Sequence, residues 1–459
     1  MSSTTLTVSP VPEGVMVGPA DPGWDQARAA WIVNADQQPA EVAMVRSVAD
    51  VSAVVVDAAR RGRSVIVQGT GHAASTMGDL GNAVLIRTSG MDHVVVDASA
   101  RTLWAGAGAL SGDVISAAAG HRLAVLAGAA ADVGIAGYLL SGGISWLSRS
   151  FGLAANDVIA IEVVGADGVA RIVDHEREPD LFWALRGGGG SFGVVTAFQL
   201  RLHEVSSVAA GALFFPMERA GEVLHSWRPW LQGLTNATTS CARLLQLPTL
   251  PELPPPLSGR ALVSIELVHQ GAVDDLAHMI RPLRDLRPTL DTVCEQAPAA
   301  LFALHMDPPG PTPCRGNGML LSDVTPAAID ALVAAAGHGS GSPLLSVDLR
   351  QLGGAIAVRP PTAGAVGYFE AGFAMYAVGI TPDAAAEAKV DAHVRAVEHA
   401  LSPWSAELHY ANFDEHSPGG RERFHDQATL RRLQAVKARV DPNNLFTAGH
   451  PVIPRDERP

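Results

Sequence analysis

The sequence predicts an α+β protein with two domains, and three observations carry that prediction. The chain has 459 residues, more than one ordinary hydrophobic core organises, so at least two domains are expected. From about Trp31 to Val205, short Val/Ile-rich runs alternate with turn glycines and amphipathic helices. The composition then shifts, and the proline-rich stretch Leu247–Gly259 follows. We therefore divide the chain into an N-terminal part over residues 1–205, a second α+β domain over 206–404, and a C-terminal segment over 405–459.

The N-terminal part contains one clear amphipathic helix and several short strands. The helix is predicted over Asp50–Gly62, where four apolar residues share one face and Gly62 is suitably placed as a C-cap. Val/Ile-rich runs bounded by turn residues indicate the strands. Their sequences are SVIVQGTG, NAVLIRTS, HVVVDASARTLWAGAG and DVIAIEVVGADGVARIVD, the last a hairpin that turns at residues 166–168.

The middle and C-terminal parts mix helices and strands. Strands are predicted over Ala261–His269 and Gly372–Ile380, and a helix over Pro326–Ala336. A further helix begins near Ala428 and ends at Asp441, because the following proline disfavours helical backbone in the residue before it. This mixture predicts an α+β fold for the middle of the chain.

Charge and composition exclude several classes of partner. The formal net charge is −13, from 33 Lys and Arg against 46 Asp and Glu. Nucleic acids and anionic membranes are bound through basic patches, so we expect neither partner. The three cysteines form no C-x-x-C pair, which argues against a disulfide framework and a cysteine metal site. The charge suits an enzyme that acts on a neutral small molecule. The N-terminal residues resemble no signal peptide and no long apolar span occurs, so we expect a cytoplasmic protein.

Two glycine clusters imitate the dinucleotide-binding fingerprint without its context. Gly188–Gly193 has the spacing G-x-G-x-x-G, but it follows a predicted helix and precedes a strand. The fingerprint requires the order strand, glycine turn, helix, so we reject it here. Gly106–Gly112 has a different spacing and is interpreted as a turn. A nicotinamide cofactor is therefore not predicted.

A third glycine-rich block, Leu126–Val158, favours a large cofactor. Small residues let the backbone approach a flat or anionic group, and successive N–H groups can bind phosphate oxygens. A tightly turned loop is the alternative interpretation. The presence of three such clusters in one domain favours the cofactor.

His72 lies in the stretch VIVQGTGHAAS, at the end of a predicted strand and within a glycine turn. A structural or solvated histidine is the ordinary interpretation of such a residue. Metal binding is not indicated, because no ligand pattern lies near it. An imidazole with so little bulk around it can approach a cofactor ring, so the functional hypothesis is nucleophilic attack on an activated cofactor carbon.

Five blocks together resemble FAD-linked oxidases of the vanillyl-alcohol oxidase superfamily, the PCMH type, in the berberine bridge enzyme-like branch. In the family's order they are VIVQGTGH, VGIAGYLLSGGISWLSRSFGLAANDV, DLFWALRGGGGSFGVVTAF, HYANF and LQAVKARVDPNNLF. The resemblance implies a two-domain fold, in which the N-terminal part and the C-terminal segment bind FAD. The middle domain would place an antiparallel sheet, covered by helices, over the flavin.

The resemblance also implies which residues contact the cofactor. His72 stands at the position of the histidine that bonds covalently to the 8α-methyl group of FAD. Asn412 and Phe413, from HYANF, would reach the isoalloxazine ring from the C-terminal side. The other matching positions are Gly69, Thr70, Gly71, Ala73, Ala74, Ser75, Gly134, Gly137, Gly142, Gly143, Ser145, Trp146, Gly152, Asn156 and Val195.

Three departures from the family pattern carry predictions. Ala130 stands where many members have a second, cysteinyl link to the flavin, so a single histidyl link is expected. Thr70 places a side chain where the family has glycine and is expected to crowd the turn. The order Asn156-Asp157 inverts the commoner one and leaves the contacts of both residues open.

In this family a substrate C–H bond delivers hydride to the flavin, and dioxygen reoxidises the reduced ring; the protein supplies orientation and a base. Tyr410 is the first candidate base, because an electron-poor ring beside it would lower its pKa; a packing tyrosine is the alternative. Glu370, on a segment that resembles the strand facing the flavin, is the second candidate, and an exposed surface carboxylate is its alternative. Tyr368 and Tyr376 are possible pocket residues.

The leading hypothesis is thus an FAD-dependent oxidase of an alcohol or similar carbon in a small natural-product intermediate, with dioxygen as acceptor. A carbohydrate oxidase acting at the hemiacetal carbon is the first alternative. The second is a non-redox cyclase that keeps FAD as a structural group.

Overall fold

The computed structural model describes residues 10–251, 253–308, 310–415 and 421–455, and the following elements lie within these ranges. The first sheet has the order β1-β2-β4-β3, with β2 and β3 parallel to β4. Its strands are β1 (Met16–Val17), β2 (Glu41–Met44), β3 (Ser64–Gln68) and β4 (Ala83–Arg87). Two helices accompany this sheet, α1 (Trp24–Arg28) and α2 (Val48–Arg60).

The helix α2 begins two residues before its predicted start. Ser47 caps it by accepting a hydrogen bond from the backbone N–H of Asp50, whose carboxylate accepts in return from Ser47 N–H. The apolar face expected from the sequence is buried against the first sheet, where it contacts Val65 and Val84. The amphipathic pattern therefore placed this helix correctly.

The second sheet is antiparallel, in the order β5-β6-β9-β7-β8. Its strands are β5 (Val94–Asp97), β6 (Thr102–Gly106), β7 (Val158–Val164), β8 (Ala170–Val173) and β9 (Val194–Arg201). The helices that lie between them in the chain are α3 (Ser111–Ala119), α4 (Ile135–Leu140), α5 (Ser148–Phe151) and α6 (Pro179–Leu185). The hairpin β7-β8 turns where the sequence predicts it.

The third sheet is an eight-stranded antiparallel sheet in the order β13-β10-β12-β11-β16-β17-β15, with β14 paired to β10. Its strands are β10 (Val208–Pro216), β11 (Thr238–Gln246), β12 (Ala261–His269), β13 (Leu290–Asp291), β14 (Cys294–Gln296), β15 (Cys314–Leu321), β16 (Ser346–Gln351) and β17 (Phe373–Ile380). The remaining helices are α7 (Ala220–Trp230), α8 (Val273–Met279), α9 (Arg281–Arg284), α10 (Pro326–Ala336), α11 (Ala384–Leu401) and α12 (Gln427–Val440).

The two faces of the eight-stranded sheet differ. One is apolar and packs under helices α7, α10 and α11, through residues such as Trp227, Leu332 and Val394. From the other face, Cys241 and Val268 join the core that contains Leu126 and residues of the second sheet. The predicted α+β fold, with a helix-covered antiparallel sheet, is confirmed. None of the helices within the described ranges has the length and apolar character needed to cross a membrane.

The C-terminal segment returns to the first sheet. The N–H of Val65 in β3 donates to Leu445 O at 2.8 Å, and Thr447 N–H donates to Val65 O at 2.9 Å. This pairing supports the expected return of residues 405–459 to the N-terminal part. The boundaries at 205/206 and 404/405 stay predictions.

Helix α12 is fixed by a fully buried ion pair. Lys437 Nζ contacts Asp441 Oδ2, and it donates to Ser191 O at 2.7 Å and to Phe446 O at 2.8 Å. Two backbone N–H groups, of Leu445 and Phe446, donate to the Asp441 carboxylate. The ion pair therefore joins α12 to Leu445 and Phe446, in the segment that pairs with β3.

Lys437→Met is expected to lower the free energy of unfolding by about 3 kcal/mol, because it leaves the Asp441 carboxylate buried without its cation. The loss stays at the lower end of such effects because two N–H groups still solvate that carboxylate. Urea denaturation measures it, with the half-exposed Arg439→Met as control, expected to change stability by less than about 1 kcal/mol. Equal losses in the two variants would contradict this assignment.

Candidate cofactor and substrate site

The turn after β3 holds its backbone against the segment at Ala30. Gly71 has φ +95°, and a Cβ there would stand 2.8 Å from Ala30 Cβ, so no other residue fits without movement. The carbonyl of Thr70 accepts a hydrogen bond from Trp31 N–H at 2.9 Å. The turn Gly69–Ser75 is thus a rigid base for the histidine that it carries.

His72 lies between an aromatic ring and a carboxylate. The Trp31 ring stacks on the imidazole at 4.2 Å between centroids, with the planes 20° apart. The imidazole Nδ1 is 2.8 Å from Thr70 Oγ1, and Nε2 is 3.8 Å from Asp132 Oδ1. Desolvation lowers the pKa of His72 to about 4, although the charges of Asp132 and Asp307 act in the opposite direction. At neutral pH the imidazole is uncharged, which a nucleophile requires.

The glycine-rich block lies beside this turn. Gly134 precedes α4, and a Cβ there would stand 3.4 Å from Thr70 Oγ1. Gly143 has φ +76°, and a Cβ there would stand 2.6 Å from the Tyr138 ring. Thr70 therefore lies beside Gly134, with its hydroxyl within hydrogen-bond distance of His72, and the crowding of the turn stays a prediction.

Tyr410 connects the glycine-rich block with the C-terminal segment. Its hydroxyl oxygen accepts from Ile144 N–H at 2.9 Å and from Asn412 Nδ2 at 2.8 Å. Asn412 also donates to Tyr138 O at 3.2 Å. The sequence-predicted residues Tyr410 and Asn412 thus lie together against the block that follows Gly142.

The protonation of Tyr410 differs from the expectation. Burial raises its pKa to about 12, because it outweighs the two donors, which lower the pKa. The protein groups that surround the phenol thus give no net lowering, and the lowering by a neighbouring flavin ring stays a prediction. Tyr410 therefore carries its proton at neutral pH.

Unpartnered polar atoms test whether these residues fit FAD. Ser75 Oγ, Tyr138 Oη and Trp146 Nε1 are buried and make no hydrogen bond to another described residue. A Cβ on Gly137 would meet open space within 4 Å. Buried polar groups are nearly always hydrogen-bonded, so each of these groups is available to a polar ligand. The residues present fit a bound cofactor with phosphate and heterocyclic oxygen and nitrogen atoms.

Three other predicted residues differ in whether they keep a polar atom free for a ligand. Asn156 Nδ2 donates to Gly367 O at 2.8 Å, whereas its Oδ1 is buried without a partner among the described residues. Asp157 is paired with His203 at 2.6 Å. Val195 is buried in β9 opposite Val163. Asn156 thus keeps a free polar atom for a ligand, while Asp157 is already paired.

None of the three cysteines lies in the glycine-rich block that contains Ala130. Cys241, Cys294 and Cys314 belong to β11, β14 and β15 of the eight-stranded sheet. A single histidyl link stays a prediction, which this placement supports.

Glu370 is not on the strand that the sequence suggested. It lies in the loop before β17, is exposed, and accepts a hydrogen bond from Tyr368 Oη at 3.3 Å. Its neighbour Phe369 contacts the Tyr410 ring, with 5.3 Å between centroids. The expected strand position is therefore wrong, and the structure brings Glu370 into no hydrogen bond with Tyr410.

The sequence reasoning missed a buried polar cluster on the non-helical face of the eight-stranded sheet. Arg243 of β11 donates to Glu266 of β12 at 3.0 Å and to Asp348 of β16 at 2.9 Å. Arg350 donates to Asp348 at 3.1 Å. The available signal was a charged residue at alternate positions of otherwise apolar strands, since such residues share one face.

This polar cluster, Arg243, Glu266, Asp348 and Arg350, adjoins the residues around Tyr410. The Arg350 guanidinium lies 4.9 Å from the centre of the Phe413 ring, and its Nε is buried without a partner among the described residues. The Phe413 ring is 4.9 Å from that of Tyr410. The cluster therefore reaches the predicted site at Phe413.

Tyr376 and Glu415 form a second polar contact beside Phe413. Tyr376 Oη donates to Glu415, and the Tyr376 ring is 5.0 Å from Phe413. Burial raises the pKa of Glu415 to about 7, although the Tyr376 hydrogen bond lowers it. Tyr376, predicted as a possible pocket residue, thus lies beside the site.

Comparison with known proteins agrees with this geometry. Residues 39–174 match the family described as FAD binding domain. (R)-6-hydroxynicotine oxidase of Paenarthrobacter nicotinovorans is 29% identical over 241 residues, 52% of this chain and 50% of that protein. The FAD-linked oxidoreductase hasG of Aspergillus fumigatus is 32% identical over 280 residues, 59% of this chain and 56% of that protein. The chain thus matches about half the length of these curated relatives.

Solved structures share the whole fold. A 6-hydroxy-D-nicotine oxidase from Arthrobacter nicotinovorans has a TM-score of 0.83 at 22% identity, covering 99% of this chain and 100% of that one. BBE-like 1 of Physcomitrella patens has a TM-score of 0.81 at 19% identity, covering 96% and 97%. At such identities the likeness concerns the fold.

Residues 39–174 thus match an FAD binding domain. The chain as a whole shares its fold with 6-hydroxy-D-nicotine oxidase and BBE-like 1, and about half of it is similar in sequence to curated FAD-linked oxidoreductases and oxidases.

Proposed function

We propose that this protein is an FAD-dependent oxidase that removes hydride from an alcohol or similar carbon of a small natural-product intermediate, with dioxygen as acceptor. The position of Tyr410 carries the proposal. Its hydroxyl accepts from Ile144 in the glycine-rich block, while its ring contacts Phe413, on which Arg350 lies. A phenol thus stands between the predicted cofactor residues and the polar face of the eight-stranded sheet.

Bound FAD supplies a ring that accepts hydride. His72 would anchor it through a single covalent bond, and Gly137, where a Cβ would meet open space within 4 Å, would leave room for its approach. Tyr410, protonated at neutral pH, donates a hydrogen bond to a substrate oxygen and orients the reacting carbon. Its two N–H partners stabilise the phenolate when a proton moves away.

The site favours a neutral, partly aromatic or aliphatic substrate with one polar anchor. Two arginines and two carboxylates balance within the polar cluster. The unpartnered Arg350 Nε offers one donor, and the rings of Phe413 and Tyr376 offer apolar contact. The relatives named above as oxidase and FAD-linked oxidoreductase support the same class of reaction.

Reduction of the flavin by light tests whether dioxygen is the electron acceptor, and it needs no known substrate. The purified protein, reduced under argon by light with deazaflavin and EDTA, is expected to reoxidise within seconds of mixing with air and to release hydrogen peroxide. Reoxidation over many minutes would contradict the oxidase. The protein is then mixed anaerobically with a panel of aromatic and aliphatic alcohols, amines and simple sugars, to identify which compounds bleach the flavin absorbance. Bleaching by sugars alone would favour the carbohydrate oxidase. Formation of a product without bleaching would favour the cyclase.

Tyr410→Phe is expected to slow flavin reduction by the best panel substrate about 100-fold, the lower range for loss of an acid–base group. It also removes the acceptor of Ile144 N–H and Asn412, which lowers the free energy of unfolding by about 1–3 kcal/mol. Stopped-flow absorbance and urea denaturation measure the two effects. An unchanged reduction rate in a folded variant would assign Tyr410 a packing role only.

A further inference from the structure

A histidine and a glutamate form a buried pair on the face of the eight-stranded sheet that carries the polar cluster. His305 Nδ1 lies 2.5 Å from Glu266 Oε2, and both side chains are buried. Glu266 belongs to β12, whereas His305 lies in the segment between β14 and β15. The pair therefore joins this segment to the sheet through two groups that can exchange a proton.

The pair lies between the sheet and the predicted cofactor residues. The Trp146 ring is 4.8 Å from the ring of His305, with the planes 42° apart. Two residues further along the chain, Asp307 lies 3.9 Å from Arg243, and its charge acts on His72. The segment that carries the imidazole thus passes between the eight-stranded sheet, the glycine-rich block and the turn after β3.

Strand register places the pair in one row with Arg350. Glu266 of β12 is opposite Cys241 of β11, and Cys241 is opposite Arg350 of β16. Two strand spacings, about 10 Å, therefore separate the backbones of Glu266 and Arg350. Arg350 lies on the ring of Phe413, which contacts Tyr410. A substrate that lies along this row can contact both the pair and Tyr410.

The contacts of the pair decide where the imidazole proton lies. A carboxylate only accepts hydrogen bonds, so Glu266 favours an N–H on Nδ1 of His305. Arg243 donates to the other oxygen of Glu266 at 3.0 Å and to the backbone carbonyl of His305, and so holds both partners. Nε2 makes no hydrogen bond to another described residue. In the neutral imidazole, Nε2 therefore carries a free lone pair.

The proposed oxidation needs a proton acceptor that the two sequence-predicted candidates do not provide. Burial raises the pKa of Tyr410 to about 12, so its phenol already carries a proton at neutral pH. Glu370 is exposed in the loop before β17. An imidazole with a free lone pair, oriented by a carboxylate, is the commonest arrangement of a general base.

We propose that His305 is the catalytic base that takes up the hydroxyl proton of the substrate through Nε2, while Glu266 positions the ring and stabilises the imidazolium that forms. This inference rests on the proposed function and deepens it, because it names the group that accepts the proton. Glu266 is a positioning residue in this scheme, since it acts only through His305.

The step balances as a two-electron oxidation of an alcohol. His305 Nε2 gains the proton of the hydroxyl group as the O–H bond breaks. The hydrogen on the same carbon leaves as hydride, with both electrons of the C–H bond, to the bound flavin, and the carbonyl double bond forms. Dioxygen then accepts the two electrons and two protons, one from the transferred hydride and one from His305, to give hydrogen peroxide.

The first test observes the imidazole without turnover. Nitrogen NMR of the full holoenzyme, produced with isotope-labelled histidine, assigns to His305 the signals that are missing in His305→Gln. At neutral pH we expect wild type to carry a proton on Nδ1 and none on Nε2. In Glu266→Gln, Arg243 holds the amide oxygen, so the amide NH2 faces Nδ1 and the proton moves to Nε2. A wild-type proton on Nε2, alone or together with one on Nδ1, would overturn the inference.

The second test measures flavin reduction by the best alcohol of the panel in anaerobic stopped flow. His305→Gln is expected to slow reduction at least about 100-fold, the lower range for loss of a base. Glu266→Gln is expected to slow it similarly, because its tautomer leaves no lone pair on Nε2. His269→Gln is the matched control and should keep the wild-type rate, since His269 is a buried histidine that bonds Thr238 Oγ1 at 2.9 Å.

The outcomes separate this inference from the proposed function. Bleaching of wild type by an alcohol, with equal rates in His305→Gln and Glu266→Gln, would overturn the inference and leave the oxidase standing. Formation of a product without bleaching would overturn both. Slow reduction in the two variants, together with the shifted proton in Glu266→Gln, would support the inference. Glu266→Gln decides the matter if His305→Gln does not fold, because the histidine signals that change between it and wild type then identify His305.

Discussion

Replacing His72 by alanine is expected to yield a protein from which acid releases all of its flavin, whereas wild type keeps the flavin through denaturation. His72 is the nucleophile of the proposed link, and alanine has no atom that can form the bond. The intact mass of wild type is expected to exceed that of the chain by one FAD less two hydrogens. The His72→Ala mass should equal the chain alone.

His121→Ala is the control for this experiment, because His121 is exposed at the turn after α3. It should retain covalent flavin like wild type. Covalent flavin in His72→Ala would show that another residue forms the bond, and free flavin in wild type would show that no bond forms.

Local signals predicted the fold well. Helix α10 has the predicted bounds Pro326–Ala336, because Thr325 caps it and proline suits the first helical position. Helix α12 ends before Asp441, where the following proline stops it. Strand β12 also has its predicted bounds. These boundaries depend on residues near one another in the chain.

The sequence predicted the parts of the site whose residues are neighbours in the chain, and missed the parts whose residues are far apart in the chain. The turn carrying His72 is contiguous, so its glycines indicated it directly. Trp31 and Asp132, which complete the surroundings of His72, are 101 residues apart. Arg243 and Asp348 are 105 residues apart and meet only through strand pairing between β11 and β16. No spacing in the sequence brings such residues together.

Burial decides the state of both candidate bases. The sequence suggested a strand position for Glu370, but the strand begins at Phe373 and leaves Glu370 exposed. Tyr410 lies in the expected place, yet the cost of burying a phenolate raises its pKa. Both results depend on the surrounding atoms rather than on the residue type.

One cation of the polar cluster contacts both of its carboxylates. Arg243 is 6% exposed and contacts Glu266 and Asp348, whose side chains are 0% and 4% exposed. Burial would raise the pKa of each carboxyl group, but for Glu266 the charges of His305 and Arg243 outweigh it. For Asp348 the charges of Arg243 and Arg350 do so, and both pKa values lie below their usual range. Removing Arg243 would therefore leave two buried carboxylates poorly compensated.

Arg243→Met is expected to lower the free energy of unfolding at pH 7 by about 5 kcal/mol, the upper end for a broken buried ion pair. Two buried carboxylates each lose one cation, and only Arg350 beside Asp348 and His305 beside Glu266 stay. Urea denaturation measures the loss. Arg219→Met is the matched control, since its partner Glu222 is exposed, and should cost less than about 1 kcal/mol.

The pH dependence of that loss distinguishes charge from packing. In wild type the lowered carboxyl pKa values give stability that is present above the unfolded pKa near 4 and is lost as pH falls. In Arg243→Met burial raises those pKa values above the unfolded ones, so the variant gains stability as pH falls and the groups become protonated. The difference between the two proteins should therefore narrow from pH 7 towards pH 4, and Arg243→Met/Glu266→Gln should recover part of it at pH 7. A difference that is constant with pH would instead assign the loss to the packing of the arginine side chain.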